Sequence, residues 1–419
     1  MRGEREDVTA SAPQPLSVRA NLIWNTLGAL FYQGCLWLIT VLVVVLSKGY
    51  DNSGALAYGM ALGNILYTIA TYNMRSVQVS DAEDRFSARE YIGFRVVTVC
   101  VAVLSMSIYT ILTTSSPTLL VAALCFFLFK VDESFCSVYY AIEQKSERMD
   151  FIGISQALRG VIILLAFSLS LVLTNNINIA VIAMSIGCMT VTLLFDARHA
   201  SLFGSIAPLV STSTVLTMFR RYLPAFIALL CYGSVVSLAR QIFGNLYGGD
   251  SLGVYAAVAT PTVIVQLAAS FLTAPFVVGL ARARADRDRR ALVRGLLTII
   301  GGLLIVFVIL VMLAALFGEA ALVKLYGPSI AESAHLLVPV IIATSEVAFA
   351  AVFLDVLVVM GQLRGLMISN LIAVAVCLIV SQPFMASFSM AGINWTIMVS
   401  FGIALLIDAI LFAWSVSRL

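Results

Sequence analysis

The chain has 419 residues, of which 61% are apolar and only 11% are charged, and its mean hydropathy is +1.02. Because soluble domains carry about 25% charged residues, this composition excludes a soluble protein and indicates a helical membrane protein with many spans. The net charge of +3 is too small and too dispersed to indicate a nucleic-acid partner.

Twelve apolar segments are long enough to span a bilayer. In chain order they are 21–46, 54–71, 93–112, 118–142, 151–173, 177–195, 222–245, 253–280, 295–317, 333–360, 366–384 and 393–416. A polar tail, residues 1–20, precedes the first segment and lacks the apolar core of a signal peptide. The sequence predicts an all-α fold of twelve transmembrane helices, with an N-terminal six-helix lobe (21–196), a cytoplasmic linker (197–221) and a C-terminal six-helix lobe (222–419).

The distribution of lysine and arginine predicts how the chain is oriented in the membrane. The loop between the second and third segments carries Arg75, Arg85 and Arg89, and a short arginine-bearing loop is typical of the cytoplasmic side. With the N-terminus inside, nineteen lysines and arginines lie in cytoplasmic segments, whereas the outside loops hold only Lys48 and Lys324. We therefore expect both termini in the cytoplasm and the chain in the cytoplasmic (inner) membrane.

Four segments carry polar side chains at helical spacing, which a helix that faces only lipid does not need. They are the first, second, seventh and eighth segments, which occupy corresponding places in the two halves, so we expect a wet cavity between the lobes. The amides and the arginine of these segments are candidate substrate contacts: Asn25, Gln33, Asn64, Arg240, Gln241 and Gln266. The alternative, open for every serine and threonine in these stripes, is that polar side chains only hold neighbouring helices together.

Charged residues inside the fourth segment need partners or water, because a charge at mid-membrane costs about 2.5–3.5 kcal/mol. Lys130 and Glu133 lie one helical turn apart and can pair, while Asp132 points to roughly the opposite face. Two interpretations stay open for these residues. They form an internal ion pair that holds the lobe together, or they bind substrate or ions.

Arg240 has no acidic residue within one turn of its helix, and a planar guanidinium beside a polar stripe suits phosphate groups. The alternative is a structural pairing with another helix. Glu346 and Asp355 are nine residues apart in the tenth segment, hence on opposite faces, and Asp408 lies in the twelfth. Each of these acids, like Asp132 and Glu133, is a candidate site for a coupling cation.

The sequence shows no constellation for enzymatic chemistry. Its seven cysteines lie in apolar segments without metal-ligand spacing, where we expect them to be small buried hydrophobes. His199 and His335 are predicted on opposite sides of the membrane, and neither a nucleophile elbow nor a P-loop is present. We therefore expect no enzyme activity, no metal site and no cofactor, while coupling to a Na⁺ or H⁺ gradient stays open.

These features resemble a known family. Twelve spans in two halves, short loops, and the stretch Tyr72-Asn-Met-Arg-Ser-Val-Gln-Val-Ser-Asp81 followed by Phe86-Ser-Ala-Arg-Glu-Tyr91 and Arg95 are similar to the polysaccharide biosynthesis flippases. Those proteins belong to the multidrug/oligosaccharidyl-lipid/polysaccharide exporter superfamily. The resemblance covers the whole chain in topology but only residues 51–95 in local pattern.

The resemblance implies a fold, a substrate and site residues. The fold would be V-shaped and like that of the multidrug and toxic compound extrusion (MATE) transporters, with a cavity bounded by the first, second, seventh and eighth spans. The substrate would be an undecaprenyl-pyrophosphate-linked oligosaccharide repeat unit, moved from the inner to the outer leaflet. Arg240 would contact the anionic head, Arg75 and Arg95 would gather the pyrophosphate at the cytoplasmic mouth, and Lys130 is a further candidate. The partners implied are membrane lipids, a polysaccharide polymerase and glycosyltransferases.

Three alternatives are weighed against a flippase. A cation-coupled drug or metabolite antiporter would be expected to carry an acid in the first span, and residues 21–46 contain neither aspartate nor glutamate. A membrane polysaccharide polymerase or ligase needs a large outside loop with basic residues and histidine, and the predicted outside loops are short. A purely structural scaffold does not need charges within the bilayer.

Overall fold

The computed structural model describes residues 13–80 and 85–419, and every regular element in those ranges is helical. The predictions that concern residues 1–12 of the polar tail, and the acids Asp81, Glu83 and Asp84 of the polar loop, lie outside the described residues. The all-α class predicted from the sequence is confirmed over the part of the chain that the structure describes.

The helices follow one another with short connections. From the N-terminus they are α1 (Val18–Leu46), α2 (Asp51–Thr71), α3 (Met74–Ser80), α4 (Ala88–Thr113), α5 (Pro117–Lys145), α6 (Met149–Thr174), α7 (Ile177–Val191) and α8 (Ala197–Ser201), with a π-helical turn, Thr192–Asp196, between the last two. They continue as α9 (Thr212–Ala259), α10 (Val263–Ala285), α11 (Arg289–Tyr326), α12 (Leu337–Val359), α13 (Leu363–Phe388) and α14 (Ala391–Ser417). Short 3₁₀ turns, Thr260–Thr262 and Pro328–Leu336, precede α10 and α12. A kink at Gly248, with φ of 84°, interrupts α9.

Nine helices in the described part of the chain are long and apolar enough to cross a membrane. They do not include Asp51–Thr71 or Pro117–Lys145, and the run Thr212–Gln266 counts once where the sequence predicts two spans. All twelve predicted segments coincide with helical stretches, and many of their exposed side chains are leucine, isoleucine or valine. The chain is therefore an integral membrane protein, whereas the number of spans stays a prediction.

A capping box sets the start of α4 inside the polar loop. The Ser87 hydroxyl accepts a hydrogen bond from the Glu90 amide at 3.3 Å, and the Glu90 carboxylate accepts one from the Ser87 amide at 2.8 Å. Two backbone donors that would otherwise be unpaired are satisfied in this way. The helix therefore begins at Ala88, before the start that hydropathy predicts at residue 93.

The chain divides into two compact units, unit 1 (Met1–Phe226) and unit 2 (Ile227–Leu419). In unit 1, α1 packs on α6 and α2 packs on α5. A Cβ added to Gly28 of α1 would lie 2.5 Å from the Gly153 Cα of α6. A Cβ at Gly63 of α2 would lie 2.5 Å from Phe126 Cδ1 and 3.1 Å from Lys130 Cγ of α5. Small residues thus let these helix backbones approach each other, which places Lys130 directly against α2.

In unit 2, α14 packs on α12 and α13, and α10 packs on α11 and α12. Two tyrosines of α9 donate hydrogen bonds to backbone carbonyls of this group of helices. Tyr232 donates to the Val347 carbonyl at 3.1 Å and Tyr247 to the Met385 carbonyl at 2.8 Å. Each hydroxyl satisfies a buried polar end and fixes α9 against a neighbouring helix.

The predicted linker, residues 197–221, packs within unit 1. The Leu209 amide donates to the Arg89 carbonyl at 2.9 Å, and Arg89 Nε donates to the Ala207 carbonyl at 3.1 Å. The Thr214 hydroxyl donates to Glu90 at 3.0 Å. These contacts attach the segment to the start of α4, while the lobe boundaries predicted from the sequence stay predictions.

The cysteines follow the sequence expectation with one exception. All seven thiols are free. Five are buried (Cys35, Cys136, Cys188, Cys231 and Cys377), and Cys125 is half-buried. Cys100 is exposed, so the expectation of burial is wrong there: it lies on α4 near Val101 and Leu104, which are also exposed. An apolar side chain on such a surface faces lipid at no cost.

Candidate functional site

Lys130 and Glu133 form an ion pair inside unit 1. The Lys130 Nζ lies 2.7 Å from Glu133 Oε2, and the Tyr32 hydroxyl of α1 donates to Glu133 Oε1 at 2.6 Å. The two charged side chains are 12% and 14% exposed. The carboxylate therefore has a partner on both oxygens, which leaves it less free to bind an exchangeable cation.

Aromatic rings surround the Lys130 ammonium. Its Nζ lies 5.4 Å from the centroids of the Tyr67 and Phe129 rings and 5.7 Å from that of Phe126. Rings at this range stabilise a cation through their negative faces. Lys130 is thus held by a carboxylate and three rings, so an anionic substrate would have to compete with Glu133 for it.

Asp132 points away from Lys130 and belongs to a second group, the Arg159 network, which consists of Asp132, Arg159, Thr192, Asp196 and Cys136. The Arg159 guanidinium pairs with Asp132 and donates to the Thr192 hydroxyl at 2.6 Å. Its Nη1 lies 3.6 Å from Asp196 Oδ2, to which the Cys136 thiol also donates at 3.4 Å. The three charged side chains are at most 2% exposed.

The Arg159 network holds two carboxylates against one guanidinium. Asp196 Oδ1 has no hydrogen-bond partner among the described residues. Thr192 and Asp196 stand at the two ends of the π-helical turn, a distortion that is frequent at functional sites. The sequence patterns considered above do not select Arg159. The signal that could have found the network is an arginine within the otherwise apolar helix Met149–Thr174, because such a charge requires a buried partner.

Arg75 and Arg95, the residues predicted at the cytoplasmic mouth, have different surroundings. Arg75 is half-buried, donates to Gln144 at 3.0 Å and lies 5.5 Å from the Tyr140 ring centroid. Arg95 is only 1% exposed, and its Nη1 has no hydrogen-bond partner in the described chain. Substrate contact by Arg95 therefore requires a conformation that uncovers it, and both roles stay predictions.

Glu143, near the end of α5, is a buried acid that no sequence pattern singles out. It is fully buried, and neither carboxyl oxygen has a hydrogen-bond partner among the described residues. Asp196, Asp150 and the arginines Arg75 and Arg148 are the charged groups that act on it. An acid without a hydrogen bond in this position is expensive to bury in its charged form.

Tyr72, the first residue of the polar stretch, anchors an aromatic cluster. Its ring stacks on Phe226 at a centroid distance of 4.0 Å and meets Phe219 edge-on at 5.1 Å. Its hydroxyl donates to the Phe219 carbonyl at 3.1 Å. Burial raises the pKa of Tyr72 to about 12, so the hydroxyl stays protonated and remains a donor. The stretch that carries the family resemblance thus holds the start of α9 in unit 1.

The predicted amide contacts of unit 1 are only partly buried. Asn25 is half-buried, while Gln33 and Asn64 are exposed. The threonines beside Asn64 bond to their own helix: Thr68 donates to the Asn64 carbonyl at 2.9 Å and Thr71 to the Tyr67 carbonyl at 2.8 Å. The amide side chains therefore remain the candidates for substrate contact, and the hydroxyls do not need an outside partner.

Arg240 lies half-buried on α9 in unit 2. Its guanidinium carbon is 6.0 Å from the Tyr255 ring centroid, and the Tyr255 hydroxyl donates to Asn394 Oδ1 at 2.7 Å. The ion pairs found among the described residues do not include Arg240, and its buried Nε has no hydrogen-bond partner there. Asn394 Nδ2, also buried, has none either. This corner of unit 2 therefore presents unused donors, which suits an acceptor-rich group such as phosphate.

The remaining predicted residues of unit 2 are spread over several helices. Gln241 is 2% exposed, whereas Gln266 and Asp355 are exposed. Glu346 is half-buried, and its Oε2 has no hydrogen-bond partner among the described residues. Asp408 is 1% exposed and lies beside Ser369, and its Oδ1 is likewise without one. No cluster of three or more metal-ligating side chains occurs in the described ranges.

Comparison with known proteins gives relatives at the level of both sequence and fold. No protein-family model matches the chain. The chain is 25% identical over 402 residues to a capsular polysaccharide biosynthesis protein, CapF, of Staphylococcus aureus, with 91% of this chain and 95% of that protein covered. Its fold is similar to an inward-facing multidrug resistance MATE family transporter of the MOP superfamily, with a TM-score of 0.69, 13% identity, and 91% and 94% of the two chains covered. It is also similar to the lipid II flippase MurJ in an inward closed conformation, with a TM-score of 0.71, 11% identity, and 93% and 87% covered.

These findings establish the fold. The chain shares the fold of a MATE family transporter of the MOP superfamily and of a lipid II flippase. The resemblance inferred from the Tyr72–Arg95 stretch and the spans is thereby confirmed. The neighbours just named are transporters and a flippase rather than enzymes, in agreement with the expectation from the sequence.

Proposed function

We propose that the protein moves undecaprenyl-pyrophosphate-linked oligosaccharide repeat units from the inner to the outer leaflet by alternating access. Two comparisons support this: the relative takes its name from capsular polysaccharide biosynthesis, and MurJ is a flippase for lipid II. The physical task also fits a membrane protein with short loops. Sugars and pyrophosphate cannot cross about 30 Å of hydrocarbon, whereas the polyprenyl tail can remain in lipid, so only the head needs a polar path.

The main structural support for the proposal is that the Arg240 guanidinium lacks a partner among the described residues. Its guanidinium has no carboxylate partner among the described residues, and its Nε is buried without an acceptor. An arginine is permanently charged, and leaving its guanidinium unpaired in a half-buried position is costly unless an anion binds to it during function. A pyrophosphate offers several oxygens to its planar fork, so substrate binding would satisfy the group.

Other residues would extend the contact with the head group. Asn25, Gln33 and Asn64 in unit 1, and Gln241 and Gln266 in unit 2, would bond to sugar hydroxyls. Arg75, Arg95 and Lys130 would attract the pyrophosphate as it enters. The orientation predicted from arginine places both termini in the cytoplasm and the chain in the inner membrane, where it would receive lipid-linked glycan from glycosyltransferases and deliver it to a polymerase.

Coupling to a cation gradient is the second part of the proposal. Glu346 and Asp408 each have a buried carboxyl oxygen without a hydrogen-bond partner in the described chain. Glu133 and Asp132 are already paired, with Lys130 and Arg159. We therefore favour the acids of unit 2 over those of α5 as the groups that would bind Na⁺ or H⁺, with Asp355, which is exposed, as a further candidate. The same unpaired acids are the observation that favours the second candidate function, a cation-coupled antiporter.

The test is deletion of the gene in its host, followed by analysis of lipid-linked intermediates. Repeat units that accumulate on the inner leaflet would support the flippase. Unpolymerised units that are already outside would contradict it and indicate a polymerase. Normal surface glycan together with sensitivity to cationic drugs would contradict it in favour of the antiporter.

Variants of Arg240 test whether its unpaired guanidinium is required for export. We expect Arg240→Ala to insert normally but to abolish export, and Arg240→Lys to retain partial export because it keeps the charge but loses the bidentate geometry. The matched control is Arg364→Ala, which removes an exposed arginine of unit 2. Wild-type export by the Arg240→Ala variant would remove this residue from the mechanism.

A further inference from the structure

The first turns of α11 carry a basic surface that the transport proposal does not use. Arg289, Arg290 and Arg294 line an open cavity of about 640 Å³ together with Val293, Leu297 and Thr298. All six side chains are exposed. We call this surface, with the exposed apolar side chains that follow it on the same helix, the α11 strip.

The guanidinium groups of the α11 strip are largely unused by the protein. Arg289 donates one hydrogen bond to the Ser417 carbonyl at 3.1 Å, which places the start of α11 beside the end of α14. The guanidinium groups of Arg290 and Arg294 make no hydrogen bond or ion pair with any residue in the described ranges. The nearest acid in the chain, Asp288, is occupied as the helix cap and accepts from the Ala291 amide at 3.0 Å. The two arginines are therefore free to bind an external anion.

The apolar part of the α11 strip begins where the arginines end. Leu297 is 61% exposed and Ile305 is 63% exposed, and both lie outside the face that carries the buried Leu296 and Leu303. Between them, a Cβ added to Gly301 would meet nothing within 4 Å, so the strip has a shallow depression at this level. At a rise of 1.5 Å per residue, the helix covers about 21 Å between Arg294 and Val308, which exceeds the hydrocarbon thickness of one leaflet, roughly 15 Å.

The surroundings reinforce the positive charge. Arg282 and Arg284 lie in the last turn of α10, and Arg287 lies in the short connection from α10 to α11. Arg284 donates to the Val359 carbonyl. A cluster of arginines directly at the end of transmembrane helices is a recurrent binding surface for anionic lipid head groups. The enrichment of arginine in cytoplasmic segments accounts for arginines at this end of the helices. It does not explain why they share one helix face with an exposed apolar strip.

We propose that the α11 strip binds an anionic phospholipid, with the phosphate on the Arg290 and Arg294 guanidinium groups and an acyl chain along Leu297, Gly301 and Ile305. The charge of the two arginines selects an anionic over a zwitterionic head group. The apolar continuation distinguishes a lipid from a free phosphate, which would have no use for it. The site does not depend on what the protein transports.

The experiment measures lipid binding to the full chain in detergent by native mass spectrometry. Phosphatidylglycerol and phosphatidylcholine with identical acyl chains are titrated separately. We expect phosphatidylglycerol to bind at least about tenfold more tightly, and the double variant Arg290→Gln/Arg294→Gln to weaken its binding about thirtyfold. Arg290→Lys/Arg294→Lys should restore most of the affinity, because the charge is retained.

The matched control is Arg282→Gln/Arg287→Gln, which removes the same charge from exposed positions outside the strip. We expect it to weaken phosphatidylglycerol binding by less than about threefold. An equal loss in both double variants would overturn the proposal in favour of diffuse attraction. Complete displacement of the lipid by inorganic phosphate would overturn it in favour of a free-anion site. Equal binding of the two lipids would overturn it as well.

Discussion

In unit 1, Lys130 and Asp132 each form an ion pair, whereas in unit 2 neither Arg240 nor Asp408 forms one with any residue that the structure describes. The paired charges of unit 1 sit on one helix, α5, and reach α1, α6 and the π-helical turn, so they fix those elements together. The charges of unit 2 leave donors and acceptors unused in the described chain. The difference is the basis for our proposal that the α5 charges act mainly in holding helices together, while Arg240 and the acids of unit 2 act on substrate and ions.

The largest expected effect concerns Arg159, which is buried, compared with Arg240, which is half-buried. We expect Arg159→Met to lower the free energy of unfolding by about 3–5 kcal/mol, because Asp132 and Asp196 would remain buried without their cation. Arg240→Met should cost less than about 1 kcal/mol, since no described carboxylate depends on it. Unfolding by denaturant in detergent micelles measures both variants. An equal loss of unfolding free energy in both variants would contradict the proposed difference between the paired charges of unit 1 and the unpaired charges of unit 2.

The acids give a second matched pair with a smaller effect. Asp132→Asn should lower the free energy of unfolding by about 1–3 kcal/mol, because the Arg159 guanidinium loses its closest charged acceptor. Asp408→Asn should leave stability unchanged or raise it, because Asn has the same shape and brings no unpaired charge into the core. Thermal unfolding of the purified variants provides the comparison. A marked loss of stability in the Asp408 variant would show that this acid has a structural partner.

Helix packing around the Lys130 pair can be tested through a glycine. Gly63→Ala should destabilise unit 1 by about 1–3 kcal/mol, because the new Cβ would meet Phe126 at 2.5 Å. The control is Gly34→Ala on α1, where a Cβ meets nothing within 4 Å and a small gain in helix stability is expected. Thermal midpoints of the two variants decide the matter. A shift of the same sign in both would contradict the packing of α2 against α5.

The capping box is expected to have the smallest effect. Ser87→Ala should cost about 1 kcal/mol, because the Glu90 amide at the start of α4 loses its acceptor. Ser87→Asp should restore stability, since aspartate is an equally good cap. Hydrogen exchange of the first turn of α4 measures the change locally. Unchanged exchange in the Ala variant would contradict the role of the cap.

Hydropathy located the helices because a span is a local property of the sequence, and each of the twelve predicted segments coincides with a helical stretch. The Lys130 and Glu133 pair was likewise readable, because residues three apart share a helix face. The Arg159 network could not be predicted from the sequence, because its members come from α5, α6 and the π-helical turn, and Asp132 and Arg159 are 27 residues apart. Glu143 gave no signal either, because an acid at a helix end normally faces water.

The measurement that tests the central claim most directly is translocation by the purified protein in liposomes. The probe is an undecaprenyl-pyrophosphate-linked oligosaccharide with a label that a membrane-impermeant reagent can modify. The account predicts that vesicles with the wild-type chain expose the whole labelled pool to the reagent, while vesicles with Arg240→Ala expose only the pool already in the outer leaflet. Full exposure with the Arg240→Ala variant, or no translocation by the wild-type chain, would contradict it.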